Sequence, residues 1–294
     1  MRPSAAEESD MPSPQENHAA QRAFWNSDAA LRWLRRQEET DAMLAPAESA
    51  AIARAAPQPG EHALDIGCGC GASTLALAAR VGARGRVVGV DISEPMLERA
   101  RARSINLPQV ETLLADAATW DFPSESFDLM FSRFGVMFFG DPAKAFAHLR
   151  GALKPTGRIV FVCWRPFVEN PWMAVPYNAA TKHVPRPPRP GPEDPGPYSF
   201  ADAERVTRIL SQAGFAAPSF EKFEFLLDIA GGRGVDAAVE SAANIGAAAG
   251  ALKDQPDALR QNALAEMRAA LAPHEKDGRV ELAGAVWIVE ARRA

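Results

Sequence analysis

The residues best suited to ligand chemistry lie in a turn with three glycines at alternate positions. Gly67, Gly69 and Gly71 follow a short apolar run that contains Asp65, and an apolar helical run starts directly after them. Glycine lets such a turn adopt positive φ angles and lets the backbone approach a ligand closely. The helix start adds unpaired N–H groups and the positive end of its dipole. This arrangement predicts a site for a nucleotide-sized ligand.

Acidic residues stand at the ends of the next two predicted strands. The run Arg86–Asp91 predicts a second buried strand ending in a carboxylate, whose two oxygens can accept from both hydroxyls of a ribose. A third strand at residues 112–115 precedes Asp116 and Ala117, where a carboxylate beside an N–H matches the edge of an adenine. The alternative for Asp116 is that it caps the turn towards Trp120.

These features leave two classes of protein open. The residues from Gly67 to Ala72 also fit the dinucleotide-binding pattern, and both classes share an acid after the second strand. Asp65 just before the turn, the acid after the third strand and a fourth predicted strand that runs into Ser132 and Arg133 favour the other class.

The whole set resembles the class I S-adenosylmethionine (SAM)-dependent methyltransferases, in particular the bacterial small-molecule enzymes of the quinone-biosynthesis type. The matching segments are residues 65–71, 88–92, 116–117 and 126–139, in the usual order and at the usual spacing. The resemblance continues through residues 141–164 and more faintly through residues 196–215, so it covers about half of the chain. Cys70 stands where that family more often has Thr or Ser.

The resemblance implies SAM as the cofactor and no metal. It places N-terminal helices over the mouth of the cofactor site, where Trp25, Trp33 and Gln37 could line it or the tryptophans could simply pack the helix onto the domain. Met96 could lie against the adenine or in the core. The candidate cofactor residues are Asp65, Gly67, Cys68, Gly69, Gly71, Asp91, Ile92, Met96, Asp116, Ala117, Ser132, Arg133, Trp33 and Gln37.

Methyl transfer to a small-molecule acceptor is the activity that the resemblance implies. Because the sulfonium already activates the methyl group, the protein would need mainly to align the reactants and exclude water, which agrees with the absence of an evident acid–base pair. No catalytic residue is predicted; Tyr177 and His183 are weak candidates for a base. Two alternatives stay open: a SAM-binding sensor or partner-dependent subunit without its own activity, and an NAD-dependent oxidoreductase.

The composition indicates which kinds of binding partner to expect. The net charge of -5 and pI near 5.7 disfavour a nucleic-acid substrate. Cys68 and Cys70 could form a metal or redox pair, but no further Cys or His cluster supplies the other ligands, so small residues in a tight turn are the favoured interpretation. The chain has no apolar run of membrane-spanning length and no leader pattern, so we expect a cytoplasmic protein without a membrane partner. The sequence does not predict the oligomeric state.

The alternation of strands and helices predicts an α/β fold with a Rossmann-like, doubly wound sheet. The resemblance adds a seventh, antiparallel strand at residues 285–291, between strands five and six. Ser27 and Pro46 are expected to begin two N-terminal helices, and Ser93 another. We expect a disordered tail (residues 1–17) and one domain (18–294). Within the domain we predict cap helices (24–56), a core (60–164), a Pro-rich insertion (165–199) and a C-terminal part (200–294).

Three segments are candidates for the acceptor pocket. Residues 133–139 are unusually apolar for a strand exit. Residues 165–199 predict a long loop, either a substrate cap or, for the proline run 185–192, an extended surface connection. Two alanine-rich helical stretches at residues 235–248 and 257–271 are the third candidate. The side chains expected to act in a substrate cap are Asn170, Trp172, Tyr177 and His183.

Overall fold

The computed structural model describes residues 14–188, 191 and 193–294 of the chain. The strands are β1 (His62–Ile66), β2 (Arg86–Asp91), β3 (Val110–Leu114), β4 (Phe127–Arg133), β5 (Leu153–Trp164), β6 (Ser219–Asp228), β7 (Glu275–Lys276) and β8 (Arg279–Arg292). The helices are α1 (Pro14–Trp25), α2 (Asp28–Arg35), α3 (Gln37–Ala55), α4 (Ala72–Val81), α5 (Glu94–Ser104), α6 (Pro142–Ala152), α7 (Pro171–Ala180), α8 (Ala203–Gln212), α9 (Val235–Asn244), α10 (Ala247–Leu252) and α11 (Asp257–Leu271).

The sheet has the predicted doubly wound topology. Its strand order is β3-β2-β1-β4-β5-β8-β6, and the two-residue β7 pairs with β8 to make eight strands in the described part of the chain. Strands β1 to β5 are mutually parallel, whereas β8 is antiparallel to both of its neighbours, β5 and β6. The prediction of an antiparallel last strand between strands five and six is therefore confirmed.

The central strands are buried on both faces, as a parallel sheet between helical layers requires. Leu64 of β1, Phe131 of β4 and Phe161 of β5 have no exposed surface, and β5 is buried along its last six residues. In register, Asp65 lies opposite Gly89 of β2 and Phe131 of β4. The carboxyl ends of these strands therefore meet at one edge, where doubly wound sheets bind their ligands.

The N-terminal region differs from the prediction. Helix α1 begins at Pro14, inside the predicted tail, and residues 1–13 lie outside the described residues. Helix α3 begins at Gln37 and contains Pro46 in its interior, not in its first turn. Ser93 occupies the N-cap position of α5, but the hydroxyl makes no capping bond. Instead the side-chain oxygen of Asn26 accepts from the Glu94 amide at 3.2 Å.

The segment predicted as a long loop contains helix α7. Pro171 stands at its first position and Pro176 in its interior, and because of these prolines the helix was not predicted from the sequence. The stretch 235–248 is divided into α9 and α10, because Ile245 is extended and Gly246 has a φ of 86°. We call α7, α9, α10 and α11 the insertion helices; they pack around a second hydrophobic cluster built mainly from alanines. Within the described ranges, no helix combines the length and hydrophobicity needed to cross a membrane.

Candidate active site

A cavity of about 260 Å³ lies at the carboxyl edge of the sheet. The turns after β1, β2, β3 and β4 form one wall, and residues of α1, α2 and α3 cover it. Eleven of the fourteen predicted cofactor residues line it: Gly67, Cys68, Gly69, Asp91, Ile92, Met96, Asp116, Ala117, Arg133, Trp33 and Gln37. The other three, Asp65, Gly71 and Ser132, lie behind this wall. Residues from four strand ends and three helices, far apart in sequence, are thus brought together.

The three glycines of the turn all have positive φ, at 66°, 53° and 84°, but each meets a different neighbour. A Cβ on Gly67 would lie 2.8 Å from the Cα of Gly135, so the β1 and β4 turns can touch only without one. A Cβ on Gly71 would lie 3.0 Å from Ala100 of α5. At Gly69 the nearest atom would be the Met96 sulfur at 3.8 Å. Gly69 is therefore the position that leaves room for a ligand.

Asp65 and Ser132 support the turns from behind. Asp65 has no exposed surface, and one of its oxygens accepts from the hydroxyls of Ser73 at 2.8 Å and Thr74 at 2.6 Å. Burial raises the pKa of Asp65 to about 6, against the effect of these two bonds. The Ser132 hydroxyl donates to the Ile66 carbonyl at 2.8 Å and accepts from the Gly135 amide at 3.1 Å. Ser132 thus joins two backbone segments that line the cavity, whereas Asp65 anchors the first turn of α4, which follows the glycine turn.

Asp91 closes the glycine turn. Its Oδ2 accepts from the Gly69 amide at 2.7 Å and its Oδ1 from the Ser93 amide at 2.8 Å. Burial raises the pKa of this carboxyl, and the backbone amides, which favour the charged form, reduce the rise. Each oxygen therefore makes one bond to the protein and can accept another from a ligand.

Asp116 lies at the end of the cavity formed after β3. Its Oδ1 accepts from the Ala118 amide at 2.9 Å, and the amides of Thr119 and Trp120 bond to its carbonyl. Asp116 therefore caps the turn towards Trp120, as the alternative interpretation proposed. The residue also lines the cavity together with Ala117, so this role and ligand contact are compatible.

A group of charged side chains joins the cavity floor to α3. Arg133 pairs with Asp41 at 3.0 Å and with Glu48 at 3.0 Å, and Asp41 also accepts from Arg103 at 3.0 Å. The Gln37 side chain donates to Asp41 as well. Burial raises the pKa of Glu48, the Arg133 charge lowers it and the Asp41 charge raises it. Asp41 and Arg133 both face the cavity, so they present charges of opposite sign to a ligand.

Twelve further lining residues, which we call the apolar wall, carry no ionisable side chain. Its members are Trp25, Met43, Leu44, Phe134, Met137, Phe138, Phe139, Trp164, Trp172, Met173, Pro197 and Ile245. Phe134 stacks on Trp164 with ring centroids 4.5 Å apart, and Trp164 meets Trp172 at 5.0 Å. Phe134 has a φ of 63°, an unfavourable value for a phenylalanine that the tight turn after β4 imposes. Trp25 of α1 packs edge-on against Phe138 at 5.3 Å.

The four residues predicted to act in a substrate cap do not lie together in the structure. Trp172 lines the cavity. Asn170 is fully buried, where its side chain bonds the carbonyls of Arg165 and Pro166 and the Ala285 amide. Tyr177 packs against Phe167, and His183 lies 3.6 Å from Glu266 of α11. None of these last three lines the cavity, so a base from Tyr177 or His183 is not supported.

Sequence reasoning identified the contributions of α3 and of the insertion helices only in part, through Gln37, Trp172 and the stretch 235–248. Thr40, Asp41, Met43 and Leu44 lie before the predicted start of the second helix, and so were not considered. A usable signal existed, because the buried positions of α3 keep helical spacing through Pro46. The other lining residues that were not identified are Gln21, Trp164, Met173, Pro197, Ile245 and Gly246.

The thiols at the site are protonated. Burial raises the pKa of Cys70 to about 11 and that of Cys68 well above its usual range. In the described part of the chain, no three His, Cys, Asp or Glu side chains are grouped so as to hold a metal ion. The ionisable groups on the cavity surface are thus two thiols, Arg133 and the carboxyls of Asp41, Asp91 and Asp116.

Comparison with known proteins agrees with this architecture. Residues 63–157 match the family described as "Methyltransferase domain". Aklanonic acid methyltransferase DauC of Streptomyces sp. (strain C5) is 35% identical over 169 residues, which cover 54% of this chain and 77% of that protein. An uncharacterized 37.1 kDa protein in transposon TN4556 of Streptomyces fradiae is 36% identical over 55% of this chain, and the match spans only 45% of its length.

A solved structure extends the similarity of fold beyond the core. Phosphoethanolamine N-methyltransferase 2 of Haemonchus contortus, solved with S-adenosylhomocysteine, is similar with a TM-score of 0.54 and 17% identity. The similarity covers 96% of this chain and 60% of that one. At this identity the match concerns the fold alone.

Proposed function

Because this chain belongs to the class I SAM-dependent methyltransferases, with SAM as methyl donor, we propose that it methylates a small acceptor whose apolar body is held against the apolar wall. The observation that carries the proposal is the division of the cavity. Carboxylates and backbone amides lie at the strand ends, whereas the apolar wall is aromatic and without charge. A polar cofactor and an apolar acceptor would each find a matching surface.

The residues at the strand ends fit SAM in size and chemistry. Gly69 leaves the space that a side chain would fill, and each oxygen of Asp91 retains capacity to accept from a ribose hydroxyl. Asp116, Ala117 and Met96 would hold the adenine. Arg133 and Asp41 would face the zwitterionic amino-acid end, since they offer one charge of each sign.

When SAM is bound, its sulfonium supplies an electrophilic methyl group. The work of the chain is then to align the acceptor with the carbon–sulfur bond and to exclude water. The electron-rich faces of Phe134 and Trp164 would also attract a nearby positive charge. None of these roles needs a proton transfer by the protein.

The lack of a base on the apolar wall restricts the acceptor. A neutral alcohol must lose its proton to become a good nucleophile, and no described residue of this wall could accept it. We therefore favour an acceptor that is already ionised at neutral pH, such as a carboxylate or an acidic phenol or enol. Aklanonic acid, for which the similar protein DauC is named, is an acid, which supports this choice.

Calorimetric titration with SAM, S-adenosylhomocysteine and NAD is the first test. We expect saturable binding of the two adenosyl ligands and none of NAD. Mass spectrometry of a metabolite extract incubated with protein and SAM should then reveal a compound that gains the mass of one methylene. Binding without any product would favour the SAM-sensing alternative, and binding of NAD alone would overturn the assignment.

Asp91→Ala tests the cofactor contacts. We expect SAM affinity to fall roughly 10- to 150-fold, the equivalent of about 1.5 to 3 kcal/mol for two lost charge-assisted bonds. Because Asp91 also accepts from the Gly69 amide, thermal unfolding of the variant should be measured alongside. The exposed Asp121, outside the cavity, is the matched control as Asp121→Ala. Unchanged SAM affinity in Asp91→Ala would show that Asp91 does not contact SAM.

A further inference from the structure

Strand β6 forms one edge of the sheet. It pairs with β8 along all ten of its residues, from Ser219 to Asp228, and no strand of the described residues pairs with its other side. We infer that this edge binds the β6 edge of a second copy of the chain. The two strands would run antiparallel about a twofold axis at Phe223 and join the two sheets into one. The inference concerns assembly and is independent of the proposed acceptor.

The outer edge of β6 is accessible. Five of the eight residues from 219 to 226 have exposed side chains, among them Lys222 and Leu226. An unpaired strand edge presents a row of N–H and C=O groups, and two such edges can satisfy each other by antiparallel pairing. Proteins usually block an open edge with lysine or other charged residues. The charges of β6 instead favour one register of pairing between two copies.

The charged side chains of β6 are complementary to those of a second copy. In an antiparallel pair centred on Phe223, Lys222 of each copy lies opposite Glu224 of the other. The Lys222 ammonium lies 5.7 Å from the centroid of the Trp287 ring, and no carboxylate of the described residues pairs with it. Glu224 pairs with Arg165 at 2.8 Å, but its side chain remains 70% exposed and can accept from a second cation.

The same register also pairs apolar side chains. Even-numbered residues of β6 share one face of the sheet, since Phe220 and Lys222 both contact the Trp287 ring. On this face Phe220 would lie opposite Leu226 of the second copy, a side chain that is 59% exposed in the single chain. An axis moved by one residue, to Lys222 or to position 224, would place like charges opposite each other. The register centred on Phe223 is therefore the favoured one.

The other face of β6 connects this edge to the cavity. Phe223 stacks on Phe225 with ring centroids 5.7 Å apart, and Phe225 stacks on Trp164 at 6.4 Å. Trp164 belongs to the apolar wall. Phe223, at the outer end of this row of rings, is only partly buried in the single chain. Pairing of two copies would shield it from water.

Sedimentation velocity of the full chain over a range of concentrations tests the dimer. We expect a species of twice the chain mass of 31.6 kDa. Lys222→Glu should weaken association by about 10- to 100-fold, because two attractive pairs become repulsive. Lys222→Glu combined with Glu224→Lys should restore it, since the exchanged charges again attract. Lys253→Glu is the matched control, at an exposed lysine outside β6, and should leave the dimer unchanged.

Cysteine cross-linking tests the register. Phe223→Cys should link two copies on oxidation, because residues on the axis have Cα atoms about 4.5 to 5.5 Å apart, within disulfide range. Glu221→Cys is the matched control, since the two residues 221 would lie four positions apart along the strands, about 13 Å, which is too far for a disulfide. The unsubstituted chain, with its three cysteines, gives the background.

Thermal unfolding of each variant shows whether it folds. If Lys222→Glu does not, Glu224→Lys alone replaces it, with the same expected loss of association. A monomer at every concentration would overturn the inference, as would a dimer that both single charge reversals leave intact. Equal cross-linking of the two cysteine variants would overturn the register centred on Phe223.

Discussion

Asp65 stands beneath the glycine turn with no exposed surface. Burial raises the pKa of its carboxyl from 3.8 to about 6, while the hydroxyls of Thr74 and Ser73 act in the opposite direction. Between these two pH values the folded protein holds the proton and the unfolded chain releases it. The stability that this proton binding contributes is complete below about pH 4 and is lost as the pH rises through about 6.

We expect Asp65→Asn to gain stability relative to the unsubstituted protein between about pH 4 and pH 7, by up to about 3 kcal/mol. The amide oxygen can still accept from both hydroxyls but carries no charge. Urea unfolding at several pH values measures the difference.

Asp128→Asn is the control of opposite sign. Burial raises the pKa of Asp128, but the His62 amide and the Lys154 ammonium outweigh it and lower the pKa overall. This carboxyl therefore stabilises the fold above its unfolded pKa, and the contribution is lost as the pH falls. A stability difference for Asp65→Asn that does not vary with pH would show that burial does not raise the pKa of Asp65.

At the residue scale, sequence reasoning succeeded where backbone geometry dictates the residue. Gly67 and Gly69 were predicted from the need for positive φ, and both have it. The same reasoning did not distinguish a residue that faces the cavity from one that supports it. Asp65 and Ser132 occupy motif positions but point to neighbouring turns, because their partners are Ser73, Thr74 and the Ile66 carbonyl. Only the register of the strands reveals that difference.

Helix α3 is the element that joins the N-terminal region to the strand ends that line the cavity. Its Asp41 accepts from Arg133 on β4 and from Arg103 on α5, both at 3.0 Å. The side chains of these arginines are only 13% and 23% exposed. Loss of the carboxylate would take an anionic partner from two poorly solvated cations and leave Arg133 paired with Glu48 alone, which costs more than the loss of a surface pair.

We expect Asp41→Ala to reduce the free energy of unfolding by about 2 to 4 kcal/mol, less than for a fully buried pair because the arginines retain some solvent. SAM affinity should fall as well, since Asp41 and Arg133 line the cavity. Glu39→Ala on the same helix is the control: its carboxylate is 38% exposed against 19% for Asp41, and Arg36 keeps a second pair with Glu240, so a change below about 1 kcal/mol is expected. Similar losses in both variants would mean that the buried group has no special weight.

At the element scale, the strands were easier to predict than the helices outside the core. Buried parallel strands are short apolar runs between glycines and charges, so β1, β2 and β4 were recognisable. Because of their prolines, α7 was not predicted and the start of α3 was predicted too late in the sequence. Pro176 and Pro46 lie inside helices that tertiary packing maintains. Residues of these helices line the cavity, and so its lining was only partly predicted.

At the scale of the whole molecule, the two largest hydrophobic clusters of the described residues differ in size. The main core spans the sheet and its flanking helices, while the insertion helices share a smaller cluster in which six of the nine buried members are alanines. Small side chains bury little apolar area, so separation of these helices costs less than unfolding of the sheet. The ligand cavity contacts both parts through Trp172, Met173 and Ile245.

We expect amide hydrogen exchange to report this division. Without ligands, α7, α9 and α10 should exchange faster than β4 and β5, because they can open without the sheet. SAM alone should slow exchange mainly in α1 and in the glycine turn, which line its side of the cavity. Protection of residues 171–180 and 235–252 should require a ligand on the apolar wall as well, for which an aromatic carboxylate such as 1-naphthoate is the probe. The central strands serve as the internal control, since their exchange follows global unfolding. Exchange in the insertion helices that is identical with and without both ligands would show that these helices are a rigid part of the fold and do not close over an acceptor.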